Sequence, residues 1–193
     1  MPPKPKITKE MVIDAAFKVA REEGWENINA RIVSNKLNCS THPVMYHFAT
    51  IENLKLAAFE RTDQFHLEYL MNVSGNEEEI MLGIGLNYIR FAVDEPNLFR
   101  FLFQSGYTKG NSLLEMINSE GLKPVLSAMQ QGMNLDLDQM DLDQAKEVFI
   151  TLAMFVHGYA SIIANNSLEF DEKLIAEHLE RVYTGAILSI QSS

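Results

Sequence analysis

A single cysteine, Cys39, stands among the 193 residues, so no internal disulfide is available and a reducing compartment is expected. Proline (six) and glycine (ten) are too few for a collagen-like or low-complexity chain. An apolar share of 47% against 22% charged residues likewise excludes a disordered one. Strict apolar–polar alternation is missing over any stretch long enough to make a strand. So is an uninterrupted apolar run of about 20 residues, the length a membrane span requires. The nearest run, 148–164, is broken by Thr151, His157, Gly158 and Ser161 and reads as a buried or subunit-interface helix. Residues 1–6 lack the apolar core of a secretory leader, so a soluble cytoplasmic chain without membrane association is expected.

Positive charge is scarce as well. Sixteen Lys and Arg against 26 Asp and Glu leave a net charge of −10, which excludes coating nucleic acid by bulk charge. The deficit is uneven. Residues 1–60 carry eight basic and seven acidic side chains, whereas 61–193 carry eight and nineteen. Only the first part can approach a polyanion, and it would do so through a local patch.

What is present is helical periodicity. Thr8 is placed to cap a helix in which Val12, Ala15, Ala16, Val19 and Ala20 recur at helical spacing up to a stop at Gly24. Asn29 is placed to cap a short helix over 30–37, and Ser40 another that ends near Phe48. A long helix is predicted from Ile51 to about Val73, followed by helices over 77–95, 97–104, 112–131, 143–165 and 171–190. Pro96 marks a break or restart, and 105–111 and 134–141 read as loops. The fold class is therefore all-α, with an N-terminal helix-turn-helix domain over 1–50 and a larger helical domain over 51–193.

The segment 29–48 carries the most specific chemistry. Two short helices joined at Asn38-Cys39-Ser40 after a longer one have the order and lengths of a helix-turn-helix. A short second helix fits a major groove when its first residues are small and polar enough to reach base edges. Pro43 falls in the first turn, where a missing N–H costs little. Packing alone is the other use of such a hairpin.

Enzymatic and metal patterns fail. Cys39, His42 and His47 lack a fourth ligand at zinc spacing. Asp136, Asp138 and Glu147 mimic a calcium loop, but Met140 and Asp141 stand where a ligand and the required glycine belong. Gly83-Ile84-Gly85 and Gly106 to Gly110 lack the remainder of any phosphate-binding motif. No nucleophile sits in a recognisable setting, so neither enzyme, metal nor cofactor is expected.

Ala15-Ala16-Phe17, Glu23-Gly24-Trp25, Asn29-Ala30-Arg31, Leu37-Asn38-Cys39-Ser40, Tyr46-His47-Phe48 and Glu52-Asn53-Leu54 together resemble the DNA-binding domain of the tetracycline-repressor (TetR) family of one-component transcription regulators. The resemblance covers about a quarter of the chain. Phe155-Val156-His157-Gly158-Tyr159-Ala160 is similar to the His-Gly signature in the C-terminal domain of one subgroup. The chain departs from the pattern at Asn38, where the family usually has Gly, at Met45, where it has an aromatic, and at Ile51, where it has Lys. The resemblance implies that Asn29 and Arg31 anchor the second helix to the DNA backbone. It implies further that Ser40, Thr41, His42 and Pro43 face base edges, and that Tyr46 and His47 touch phosphate. Phe48 is expected in the core. Lys4, Lys6 and Lys9 form either a basic arm or a solubilising tail.

The remainder is rich in adaptable side chains: Met81, Phe91, Phe99, Phe101, Phe103, Tyr107, Met116, Met129 and Met133. They suit either an ordinary core or the small-molecule pocket the resemblance implies, with an apolar effector whose lining is unknown. Two stripes, Phe149, Ala153, Val156, Ala160 and Ile163, then Ile175, Leu179, Val182 and Ala186, suit either an intramolecular core or a four-helix interface between two copies. The expected function is a homodimeric repressor released from palindromic operator DNA by a small molecule. The alternative is a helical small-molecule-binding protein that has lost sequence-specific DNA binding.

Overall fold

The computed structural model describes residues 7–75, 77–108, 142–166 and 168–191. Every element among them is helical: α1 (Lys9–Glu23), a 3₁₀ turn (Trp25–Asn27), α2 (Ala30–Lys36), α3 (Thr41–His47), α4 (Ile51–Leu70), α5 (Glu77–Asp94), α6 (Pro96–Gln104), α7 (Leu142–Asn166) and α8 (Glu172–Gln191). The all-α class read from the sequence holds. The helix predicted over 112–131, the loop at 134–141, and Met116, Met129, Met133, Asp136 and Asp138 lie outside the described residues.

The ends of these helices follow from local chemistry. Thr8 Oγ1 accepts from Met11 N at 3.2 Å, and α1 stops at Gly24, whose φ of 93° a side chain would resist. Pro96 opens α6 rather than preceding it, since its fixed φ and missing N–H suit a first turn. Helix α4 ends at Leu70, not near Val73. The cause is Asn87 on α5, whose side-chain amide donates toward the carbonyls of Tyr69, Leu70 and Asn72 at 3.3, 3.4 and 3.2 Å. Those carbonyls thereby gain a partner where the helix stops.

The chain forms two compact units. Residues up to His66 join Glu95–Thr108 in one, while Leu67–Asp94 joins the described residues after Thr108 in the other. In the first, Val12, Ala16, Val19, Ala20, Val33, Val44, Leu54 and Ala58 are fully buried together with Leu98, Phe99 and Phe101 of α6. Each Phe buried to this extent contributes about 2–3 kcal/mol. Trp25 stacks on Phe101 at 5.7 Å, and Phe59 meets the edge of the same ring at 5.5 Å. Phe99 and Phe101, two of the residues left between core and pocket by the sequence, are therefore core of the N-terminal unit.

The second unit packs α5, α7 and α8. Ile89, Phe91 and Ala92 of α5 are fully buried. Gly85 allows α5 to lie close to α8: a Cβ there would come 2.5 Å from Leu179 Cδ2. The two stripes face inward here. Phe149, Val156, Ala160, Ile163, Ile175, Leu179 and Ala186 are buried within the single chain, with Ala153 and Val182 half-buried. The apolar surface left on these two helices is a different set, Met154, Ile162, Leu174 and Leu188, each 44–57% exposed. At Gly158 and Gly185 no atom of the described residues lies within 4 Å of where a Cβ would point.

Candidate nucleic-acid interface

Helices α2 and α3 are held by their buried sides. Val33 and Ser34 of α2 and Val44 of α3 are buried, and Phe48, as expected, closes the end of α3 at 5% exposure. The turn between them is built by backbone bonds: Cys39 N donates to Ser34 O at 3.0 Å and Asn38 N to Asn35 O at 3.1 Å. Asn38 takes the left-handed conformation, with φ of 51°, so the Asn in place of the family's Gly fills the same backbone role. Asn29 caps α2 in full. Its Oδ1 accepts from Arg31 N and Ile32 N at 3.1 and 3.0 Å, while its Nδ2 donates to Asn27 O at 3.1 Å. Ser40 occupies the N-cap position of α3, but its hydroxyl makes no capping bond. The cap expected of it is thus one of position and not of hydrogen bonding.

The outward face of α3 consists of Thr41, His42, Met45 and Tyr46, with Pro43 and His47 half-buried beside it. The spacing i, i+1, i+4, i+5 places the four on one side of the helix. Tyr46 is 75% exposed, and its ring lies 6.5 Å from that of His42 and 5.2 Å from that of His47. Ser40 is exposed at the start of α3, and Arg31 is exposed in the first turn of α2. Of the eight residues implied by the resemblance, Arg31, Ser40, Thr41, His42 and Tyr46 are exposed, and Asn29, Pro43 and His47 are half-buried. Lys36 does not join them as a free cation, because it pairs with Glu22 and Glu23 of α1. That pairing raises the Lys36 ammonium above its ordinary range and lowers the Glu22 carboxyl.

Two features escaped the sequence reading. Thr50 Oγ1 accepts from Asn53 N at 3.1 Å and so caps α4, a pattern visible in Thr50-x-x-Asn53. His47 Nε2 lies 2.9 Å from Ile7 O, forty residues away, for which no sequence signal exists. Among the described residues no group of three or more His, Cys, Asp or Glu is placed to hold a metal ion.

No protein-family model matches this chain, and no curated protein matches it. Solved structures do, along nearly the whole length. A TetR-like transcriptional regulator from Rhodococcus sp. RHA1 shares 14% identity at a TM-score of 0.63, covering 96% of this chain and 99% of that one. The fatty acid degradation regulator FadR from Bacillus halodurans shares 16% at 0.56, covering 96% of each. This chain has the fold of TetR-family regulators. The multidrug binding protein EbrR, solved with ethidium, is similar as well, at 18% identity and a TM-score of 0.53 over 90% of this chain and 96% of that one.

In the second unit, one polar cluster interrupts the apolar packing. The Tyr88 hydroxyl lies 2.9 Å from His157 Nδ1, and Ser161 Oγ lies 3.4 Å from Nε2 of the same ring. Burial pushes the Tyr88 phenol up and the His157 imidazole down, so both are neutral near pH 7. His157 is thus hydrogen-bonded on both ring nitrogens within the chain.

Proposed function

We propose that this protein is a DNA-binding transcriptional regulator of the TetR type, working as a cytoplasmic homodimer. Residues 1–50 carry the reading head, and 51–193 carry effector binding and pairing. The observation behind this reading is the exposed face of α3, where Thr41, His42 and Tyr46 stand outward on a helix-turn-helix whose opposite side is closed by Val33, Val44 and Phe48. Arg31 and Asn29 would hold backbone phosphates at the start of α2, Ser40, Thr41, His42 and Pro43 would meet base edges, and Tyr46 would donate to phosphate. Two copies would read half-sites about 34–36 Å apart or a multiple of it.

Helix α7 over Lys146–Asn166 is long and apolar enough to cross a membrane, and a third of its most apolar window is buried in the chain. A second copy is the covering this reading assigns to the remainder, seated on Met154, Ile162, Leu174 and Leu188 rather than on the inward stripes. His157-Gly158 lies on α7, in keeping with the His-Gly subgroup. The effector would be an apolar small molecule bound in the body, in line with the ethidium carried by EbrR. It would act by favouring a conformation that spaces the two heads wrongly, and a tenfold release requires about 1.4 kcal/mol of preference between states. Helix α4 is the natural lever, since it runs unbroken from residues of the first unit into residues of the second.

The test is titration of the purified protein against the DNA upstream of its own gene, with a scrambled duplex as control. Selective, salt-dependent binding that Arg31→Ala and Thr41→Ala weaken is the expected result. Equal binding to both duplexes would remove the reading. Met45, 39% exposed in the middle of the α3 face, favours a second reading, a small-molecule-binding protein that has lost its operator. Equal binding in that titration, together with retained effector binding, would establish it.

A further inference from the structure

The outward face of α3 is divided lengthwise. Residues four apart on a helix are surface neighbours, so Thr41 and Met45 form one row and His42 and Tyr46 the row beside it. The second row is polar and aromatic, with its two rings 6.5 Å apart. The first row is largely apolar, made of the Thr41 methyl and the Met45 thioether. Met45 is 39% exposed, whereas its chain neighbour Val44 is fully buried on the other side of the helix. A single exposed methionine elsewhere on a protein needs no explanation. Here it stands in the middle of the face assigned to base edges.

What such a side chain can recognise on DNA is narrow. A thioether carries no charge and no hydrogen to donate, so a phosphate offers it nothing. In the major groove, guanine, cytosine and adenine present hydrogen-bond donors and acceptors, and thymine adds an apolar group, its 5-methyl. Contact between that methyl and Met45 removes apolar surface from water. The same side chain set against a donor or acceptor would leave a polar base edge without its partner.

We infer that Met45 is a specificity-determining residue that reads the 5-methyl group of a thymine in each half-site of the operator. This rests on the DNA-binding reading given above. The methionine that stands in place of the family's aromatic then exchanges a phosphate contact for a base contact.

The test is a double-mutant cycle on the full-length protein and the DNA upstream of its own gene, with a scrambled duplex as control. Within the stretch that the wild type protects, thymines are replaced by deoxyuridine in symmetric pairs, which removes the methyl and keeps the base pairing. Burial of one methyl corresponds to about a fourfold change in affinity, so a dimer deprived of two should bind roughly fifteenfold more weakly. One symmetric pair should show this loss in the wild type and less than about a twofold loss in Met45→Ala. Met45→Gln, polar and of similar length, should lose the sensitivity as well, whereas the apolar Met45→Leu should keep it. The slope of log K on log salt should agree between wild type and Met45→Ala within about 0.5, because no phosphate contact is removed. Far-ultraviolet circular dichroism melts would establish that the variants fold.

Deoxyuridine losses that are the same in wild type, Met45→Ala and Met45→Gln at every pair would overturn the inference and leave the regulator standing. So would a salt slope lowered by about one in Met45→Ala, which would place Met45 against a phosphate. Equal binding of the wild type to the upstream and scrambled duplexes would overturn both.

Discussion

Arg21, on the last turn of α1, closes a two-pronged ion pair on Glu95, the residue that precedes α6. Nε donates to Oε2 at 2.8 Å, and the terminal nitrogen bonds the other carboxylate oxygen. Glu95 is 8% exposed, and the Arg21 guanidinium also lies 5.3 Å from the Phe65 ring centroid. Asn97 adds a bond from its amide to the Arg21 carbonyl at 2.9 Å. The pair raises the guanidinium above its already high ordinary value, so it stays charged at any working pH. Together these contacts fasten the start of α6 to the end of α1 inside the N-terminal unit.

The first prediction follows from that pair. Arg21→Ala strands a buried carboxylate and should cost about 2–3 kcal/mol, less than a fully buried pair because the Arg21 side chain is 46% exposed. Glu95→Gln keeps an acceptor and should cost about 1 kcal/mol. Arg21→Lys should recover only part, since an ammonium cannot match the fork. Urea midpoints at constant m-value measure all three. A loss below about 0.5 kcal/mol for Arg21→Ala would show that water replaces the guanidinium.

The two caps of the helix-turn-helix should behave differently under the same substitution. Asn29→Ala removes two bonds to the first turn of α2 and should cost about 1 kcal/mol or slightly more. Ser40→Ala removes no capping bond and should cost about 0.3 kcal/mol or less. Thermal melts of the two single variants give the comparison. Equal losses would mean that the Ser40 hydroxyl caps α3 in solution.

The contrast between Asn29 and Ser40 also shows which information the sequence carried. Residue type and spacing were enough to locate α1 to α3 and the cap at Asn29, because each depends on neighbours within a few positions. The end of α4 was misjudged because Asn87, which captures its last carbonyls, lies some seventeen residues downstream. The tie from His47 to Ile7 was invisible for the same reason. The stripes on α7 and α8 had the correct periodicity, but period alone cannot tell a helix's inward side from the side a second copy would cover. Both sides of α7 are apolar, Val156 and Ala160 inward, Met154 and Ile162 outward.

His66 gives the stability a pH dependence. Burial alone pulls its imidazole from 6.5 down to about 3. Between those values the unfolded chain takes up a proton that the folded chain refuses, so stability rises with pH there and is lost as pH falls below about 6.5. The slope is at most about 1.4 kcal/mol per pH unit. His66→Leu, which keeps the packing against Phe103, should remove about 2 kcal/mol of the loss between pH 7 and 5. Chemical denaturation of both proteins at the two pH values tests it. Parallel losses would assign the acid sensitivity to other groups, among them His157, which burial shifts in the same direction.

The outward face of α7 and α8 should decide the oligomeric state. Met154, Gly158 and Ile162 recur every four residues along α7, and Gly185 and Leu188 lie three apart on α8. The glycines leave room that nothing among the described residues fills. A charge introduced here would be buried without a partner only if a second copy covers the face. Ile162→Glu and Leu188→Glu, both at positions 57% exposed in the single chain, should therefore leave the helical content unchanged while weakening self-association about a hundredfold or more. Val156→Glu, at a buried position, should unfold the second unit instead. Sedimentation equilibrium separates the outcomes. An unchanged mass for both surface variants would move the pairing surface off α7 and α8, whereas monomers that still melt cooperatively would place it there.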